Sequence, residues 1–481
     1  KINTTDILYI SIAVWVEISL YTFIIHIMFS SNYFYTIFIK SLKPKFHVAC
    51  LSISRSISFG SGSRASQMQF STSNLNVEFY KWFSGFTDAE GTFMIVSSIK
   101  GFSFKFSIGL HIDDLNVLNN IKDKLGFGNI YISNNTCHFN VTKKDDILKL
   151  INIFDIYLLN STKRFDYLDF KKAYYLYKNR DELTQELTNQ ILDIKSNMNN
   201  SRKFLESLLL SPNPEDRDTW NAEFKISKEW LLGFIEGDGS FSLSRNTMEP
   251  VFSIKLSESQ RSLLNAIKEY LKNNLGLDTY SLNKLECSSV ISIGKGKAVN
   301  NSKPLATLTI KNTQFLNNVF IPFFDEMKFI SKKGLDFKDF KLICHAIFIG
   351  AYRTERIKGL LIKLSMTMNN FRLSDYKGEK VNISLAEILE ILDAEATIEH
   401  FSDGRELDIN TKKLIHRRSS SSVFEILNPS GEIIIKSNLA DSAKEIGVGF
   451  NTLKRQLDNR IQEVEYKQYK IKRIGVFKNK M

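Results

Sequence analysis

"SGFTDAEGTF" (Ser84–Phe93) and "LGFIEGDGSF" (Leu232–Phe241) decide how this chain folds. In each, a glycine is followed four residues later by another small residue: Gly85 and Ala89, then Gly233 and Gly237. Two acids two residues apart come next, then a glycine, then apolar alternation. The pattern predicts a short helix over Trp82–Ala89 and over Trp230–Gly237, with Gly91 and Gly239 as left-handed stops. Small residues four apart form a face on which two helix backbones approach closely, and the natural partner is the other copy. Packed about a pseudo-twofold axis, the helices bring Glu90 and Asp238 together at their C-terminal ends. Carboxylates are electrostatically misplaced there, because each helix end already carries about half a negative charge. A divalent cation is the simplest compensation. Hard oxygen ligands suit Mg²⁺, and the carbonyls of Ala89 and Gly237 are further candidate ligands. Asp88 and Glu236, two residues earlier, read as structural acids at the helix interface.

The duplication extends beyond the two motifs. Glu90 and Asp238 are 148 residues apart (238 − 90). "STKRFDYLDFK" (161–171) matches "SKKGLDFKDFK" (331–341), and "MNNSR" (198–202) matches "MNNFR" (368–372), both at an offset of 170 (331 − 161). The second copy is therefore longer, and the turn-rich "GKGKAVNNSKP" (294–304) is expected to be part of the extra chain. Within each copy the motif helix is followed by strands. In "SFKFSIGLHI" (103–112), Phe104, Phe106, Ile108, Leu110 and Ile112 point one way. Ser103, Lys105, Ser107, Gly109 and His111 point the other, as in a half-buried strand. "LNVLNNIKDKLG" (115–126) is an amphipathic helix ending at glycine. "TCHFNVT" (136–142), "VFSIKLS" (251–257) and "LATLTIK" (305–311) alternate again. The fold class is α+β: two pseudo-symmetric half-domains, each an antiparallel sheet covered by helices on one face.

The formal charge is +12 over 481 residues with 43% apolar content, which favours an anionic partner on a folded body. The open strand faces carry Ser103, Lys105, Ser107, His111, His138, Asn140, Ser253, Lys255, Thr307, Thr309 and Lys311. Such side chains contact phosphates and base edges, so these faces are expected to meet DNA. Cys50, Cys137, Cys287 and Cys344 form no CxxC pair, which indicates neither a disulfide framework nor a zinc site.

The two motif copies, "FSGFTDAEG" (83–91) and "LLGFIEGDG" (231–239), resemble those of the LAGLIDADG homing endonucleases, and the resemblance runs from about Asn76 to Arg372. It is nearest to the double-motif, single-chain members encoded in introns of fungal mitochondrial genomes. The resemblance implies a monomer whose two sheets form a saddle on long, asymmetric double-stranded DNA, a double-strand cut using two or three divalent ions, and a mitochondrial location. It makes Glu90 and Asp238 the catalytic acids and metal ligands. A basic residue in each half accompanies them in the family, and the 170-residue offset makes Lys163 and Lys333 the candidates. Some members instead bind their host intron RNA and assist splicing, which is the alternative function.

The flanks read differently from the core. Residues 7–29 are a near-continuous apolar run broken by Glu17 and His26, the only stretch of a length to contact a membrane, where the mid-run carboxylate weighs against a span. Residues 1–75 form an extension that is acid-free from Ile18 to Val77 and Ser/Gly-rich over 52–67. Half-domains are expected at 76–210 and 226–375, with a linker at 211–225 and a connector at 376–422. Residues 423–481 read as a hairpin, a helix-turn-helix and a closing strand over 461–474. The region resembles the small DNA-binding repeat appended to intron-encoded nucleases, with Asn451, Lys454 and Arg455 as expected contacts.

Overall fold

The computed structural model describes residues 64–199, 224–286, 288–296, 304–401, 405–415, 424–436, 438–457, 463–474 and 477. The apolar run at 7–29, Cys50 and Cys287 lie outside them, as does most of the expected linkers. By internal contacts the chain divides into Lys1–Ser71 and Thr72–Met481. Among the described residues no helix is long and apolar enough to cross a membrane.

The first motif closes a helix much longer than its pattern predicts, α1 (Arg64–Glu90). Strands β1 (Gly91–Ser98) and β2 (Gly101–His111) follow, then α2 (Leu115–Leu125), β3 (Asn129–Ser133), β4 (Thr136–Val141), α3 (Lys144–Ile156), α4 (Lys163–Lys178) and α5 (Gln185–Ser196). The second copy repeats the order as α6 (Lys228–Asp238), β5 (Gly239–Ser244), β6 (Glu249–Ser257), α7 (Arg261–Asn274), α8 (Thr279–Glu286), β7 (Ile291–Gly296) and β8 (Leu305–Ile310). A helix over 313–325, α9, contains a π-turn at Leu316–Phe320, and α10 (Lys333–Phe348) and α11 (Glu355–Ser365) complete the copy. The two sheets have strand orders β1-β2-β4-β3 and β5-β6-β8-β7, all antiparallel. The α+β class, with one helix-covered face per sheet, is therefore observed.

The alternation does what it predicts. Phe104, Phe106 and Ile108 are buried beneath the helices, and α2 buries Val117, Leu118 and Ile121 before ending at Gly126 in the left-handed region (φ 72°). Phenylalanines fill both cores. Phe93 packs on Phe106, Phe154 and Phe170, and its counterpart Phe241 on Phe252, Phe337 and Phe340. The duplicated "MNN" has a specific cause. Asn199 (φ 57°) and Asn369 (φ 56°) are both left-handed. Each donates its amide to the carbonyl of that phenylalanine, Phe93 at 3.1 Å and Phe241 at 2.8 Å. Each backbone N–H goes to an aspartate, Asp166 at 2.8 Å and Asp336 at 3.0 Å. Glycine would accept the dihedral but could not make the side-chain bond.

Several expectations need correcting. Gly91 and Gly239 are not left-handed stops. Gly91 is not among the positive-φ glycines, Gly239 has φ −75°, and the chain runs from each helix directly into a strand. Both must be small because an added Cβ would meet the preceding turn, Thr87 Cγ2 at 2.5 Å or the Ile235 carbonyl oxygen at 2.6 Å. The extra chain of the second copy is not confined to 294–304. Helix α8, between α7 and β7, has no equivalent in the first copy.

Residues 376–422, expected as a connector, carry α12 (Leu385–Leu392) and a small sheet of β9 (Ile398–His400), β10 (Glu406–Asp408) and β11 (Leu414–Ile415). Thr397 and Ile398 both donate to the Ile349 carbonyl, which ties this sheet to the end of α10. The C-terminal region comprises β12 (Phe424–Leu427), β13 (Ile433–Lys436), α13 (Leu439–Ile446), α14 (Phe450–Gln456), β14 (Glu463–Tyr466) and β15 (Tyr469–Arg473). The single closing strand is in fact a hairpin, with β15 paired to β12. Its turn places Lys467 (φ 49°) and Gln468 (φ 66°) in the left-handed region without glycine, which removes the usual hairpin signal. Phe477 then returns to the second half-domain, buried at 5.1 Å from the Phe315 ring.

Candidate active site and nucleic-acid interface

Helices α1 and α6 touch backbone to backbone. A Cβ on Gly85 would stand 1.9 Å from the Trp230 carbonyl oxygen, and one on Gly233 2.1 Å from that of Trp82. Further along, a Cβ on Gly237 would stand 2.3 Å from Ala89 Cβ and 3.2 Å from Glu90 Oε1. The expected interface of Gly85, Ala89, Gly233 and Gly237 is thus assembled, with the helices parallel and their last residues, Glu90 and Asp238, side by side.

The inner acids of the motifs are exchanged between the halves. Asp88 accepts from Trp230 Nε1 (2.9 Å) of the other half, and from the backbone of Asn160 (2.7 Å) and Ser161 (2.8 Å). Glu236 accepts from Trp82 Nε1 (2.6 Å), and from the backbone of Ile330 (2.6 Å) and Ser331 (2.7 Å). Burial pushes both carboxyls up, and these donors oppose it. Each acid therefore joins the partner's helix to the loop that launches its own half's lysine helix. A second exchange follows the same symmetry: Asp114 accepts from Lys332 N (2.8 Å), and Gln260 from Thr162 N (3.2 Å). Nothing in the spacing of these residues distinguishes them as cross-half contacts.

Lys163 and Lys333 are the first residues of α4 and α10, each with its N–H on a serine hydroxyl two residues earlier. A cation is unfavourable at a helix N-terminus, so carboxylates must hold it there. Burial lowers the Lys163 ammonium's pKa, while Asp238 leads the acids that raise it. Burial likewise raises Glu90, opposed by Lys163 and Lys333. Asp238 is pushed up to about 7, by burial first and by Glu90 second, against the pull of Lys163. Four expected residues thus form one electrostatic unit. The Ala89 carbonyl, an expected ligand, already accepts from Lys163 Nζ at 2.5 Å, so a metal there would share it with the ammonium.

Two half-buried carboxylates, both raised by burial and Asp238 further raised by Glu90, are hard donors of the kind a divalent cation neutralises. Among the described residues no cluster of three or more His, Cys, Asp or Glu suits a metal. Glu90 and Asp238 would share an ion whose other ligands are phosphate and water oxygens. A cleft beside them is lined by Glu90, Gly237 and Lys333, and by His138 and Ser240 of the two sheets.

The sheet register places Ser103, Lys105, Ser107, His138 and Asn140 on one open face, and Ser253, Lys255, Thr307 and Thr309 on the other. Exposed Lys311 stands just past β8. Three residues are less open than expected. Ser107 and Asn140 are buried and bonded to each other at 2.7 Å. His111 is held between Asp113 (3.1 Å) and Asp375 (3.0 Å). The same register adds Thr92, Met94, Val96 and Tyr131 to the first face, and Ser240, Ser242 and Ser244 to the second. β1 and β5 follow the motif glycines too closely to show a long alternation of their own. In the C-terminal region Asn451, Lys454 and Arg455 are exposed on α14, while Leu453 and Leu457 anchor it.

A family model described as LAGLIDADG endonuclease matches residues 83–174 and 231–344. "Probable intron-encoded endonuclease 3" of Neurospora crassa is 28% identical over 58% of this chain and 52% of its own length. "Uncharacterized mitochondrial protein RF1" of Saccharomyces cerevisiae is 29% identical, over 62% and 61%. "Probable intron-encoded endonuclease Cox1-I1b" of Schizosaccharomyces pombe is 27% identical, over 56% and 64%. The chain thus spans between half and two thirds of these relatives. Among solved structures, a crystal structure of the LAGLIDADG homing endonuclease I-GzeII with its DNA target is 24% identical over 61% of this chain and 99% of its own, with a TM-score of 0.47.

Proposed function

We propose that this chain, whose residues 83–174 and 231–344 match the LAGLIDADG endonuclease family model, is a site-specific, Mg²⁺-dependent DNA endonuclease of that family. The reaction is hydrolysis of one phosphodiester in each strand of a long asymmetric duplex. The single observation that carries the reading is the convergence of Glu90 and Asp238 on the abutting ends of α1 and α6, each within the influence of Lys163 and Lys333.

Each residue then has a task. Glu90 and Asp238 would hold the divalent metal, two or three ions in total. When bound, such ions supply positive charge against the scissile phosphates and acidify water. Lys163 and Lys333 add fixed positive charge to the same point, where charge grows as the phosphodiester is attacked. Lys163 reaches it braced on the Ala89 carbonyl. The two open sheet faces and α14 bind the flanking duplex through phosphate and base-edge contacts. The chain acts as a monomer, because one polypeptide supplies both halves. The relatives named as intron-encoded endonucleases and as a mitochondrial protein support action in the mitochondrion on the intronless allele of the host gene, where cutting promotes intron mobility. Those names and the retention of both motif acids favour cleavage over an RNA-splicing role.

The test is a plasmid carrying the joined exons that flank the gene. The protein linearises it in Mg²⁺ and not in EDTA. Glu90→Gln and Asp238→Asn each slow linearisation by more than about 100-fold while still retarding the same duplex in Ca²⁺. A wild-type protein that leaves the plasmid intact and instead binds and rescues splicing of the intron RNA overturns the reading.

A further inference from the structure

The two open sheet faces are equivalent by fold and carry their apolar residues at different positions. Counting outward from each motif, β1 reads Gly91, Thr92, Phe93, Met94, Ile95, Val96, and β5 reads Gly239, Ser240, Phe241, Ser242, Leu243, Ser244. The registers are equivalent too: Gly91 opposes Ile108 and Phe93 opposes Phe106, as Gly239 opposes Ile254 and Phe241 opposes Phe252. Met94 and Val96 therefore occupy the positions of Ser242 and Ser244. The opposite edge shows the same contrast. Tyr131 opposes His138 in the first sheet, and Gly294 opposes Thr307 in the second. Where the first face carries Met, Val and Tyr, the second carries Ser, Ser and Gly, and its own apolar residues, Val251 and Leu305, stand where the first has Lys105 and Thr136.

These are not core residues that happen to show. Val96 is 45% exposed while its strand neighbour Ile95 is buried on the other face, and Tyr131 is 55% exposed on the edge strand β3. Among lysine, serine and histidine they are the apolar parts of a face otherwise built to donate hydrogen bonds. In the major groove one base presents an apolar feature, the thymine C5-methyl group.

We propose that the first sheet reads thymine methyl groups through Met94, Val96 and Tyr131, while the second reads its half-site through hydroxyl hydrogen bonds. This rests on the endonuclease reading. Met94 and Val96 lie four and six residues beyond Glu90. At roughly 3.3 Å per residue that is about 13 and 20 Å from the catalytic acid, or about four and six base pairs along the duplex.

The experiment selects bound duplexes from a randomised library with the full chain in Ca²⁺, then rebuilds the winning sequence with deoxyuridine for thymidine in one half at a time. Deoxyuridine lacks only the methyl. In the half read by the first sheet, each loss about four to six pairs from the centre weakens binding about threefold. The same change in the other half weakens binding less, because Ser242 and Ser244 replace Met94 and Val96 and only Val251 is apolar beside them. Met94→Ser and Val96→Ser, both at solvent-facing positions, remove that sensitivity and identify which half is which; their unchanged melting temperatures verify the fold. Equal sensitivity in both halves, or sensitivity that survives the serine variants, overturns the inference while leaving the endonuclease reading intact. If no duplex is enriched, both fall.

Discussion

Asp238 carries the sharpest prediction at the scale of a single residue. Its carboxyl is raised from 3.8 to about 7. A raised carboxyl binds its proton more tightly folded than unfolded, so without metal the protein loses stability as pH climbs between those values. Asp238→Asn removes the charge. In EDTA at pH 8 this variant melts a few degrees above wild type, and the gap narrows at pH 5 and closes only as pH nears the unfolded value of 3.8. A gap of equal size at both pH values contradicts the raised value. The tryptophans give a second prediction. Trp230→Phe keeps the ring but removes the donor to buried Asp88, and Trp82→Phe does the same to Glu236. Each costs about 1–3 kcal/mol in denaturant titrations. Much of the placement at this scale was legible beforehand: Glu90 and Asp238 at the abutting helix ends, Asp88 and Glu236 at the helix interface, and both lysines beside them. Their attachments were not. That Lys163 would take the Ala89 carbonyl, or Ser107 would turn to Asn140, depends on distances between segments that no local pattern encodes.

Among elements, the crossing of α1 and α6 sets everything else. Gly85 and Gly233 face backbone carbonyls, which cannot rotate away as a side chain tip can. Gly85→Ala or Gly233→Ala therefore forces the helices apart and costs about 3 kcal/mol, with cutting lost even where a fold survives. Gly126→Ala is the control. It lies at φ 72° with nothing within 4 Å, so it pays only the left-handed backbone cost of about 1 kcal/mol and leaves cutting intact. Equal losses from the three alanines would contradict close backbone contact. Helices and central strands were readable because their apolar periods are long. α8, the β14–β15 hairpin and the sheet at β9–β11 were not, because they are short or lack turn glycines. Gly91 and Gly239 show a related limit: a glycine after a helix suggests a left-handed stop, and here packing against the preceding turn is the requirement instead.

For the whole molecule, the C-terminal region is tied to the second half-domain through Phe477, which sits against Phe315 with the Lys284 ammonium 4.5 Å from its ring centroid. Phe477→Ala leaves a cavity and lowers the stability of the catalytic body by about 3 kcal/mol, although the residue is remote from it in sequence. Changing Lys454 and Arg455 together leaves melting untouched. It lowers the magnitude of the slope of log affinity against log salt by about 2 and leaves the position of the cut unchanged. A shifted cut would assign α14 a role in choosing the site rather than in holding the duplex.

The exchanged pairs, Trp82 with Glu236 and Trp230 with Asp88, also limit how such proteins can be recombined. A half-domain moved into a chimaera brings a buried acid whose indole donor stayed behind in the former mate. Shuffled halves should therefore work only when the newcomer supplies a tryptophan at the same turn, and a library filtered for that one residue should yield far more soluble hybrids than one filtered for overall likeness.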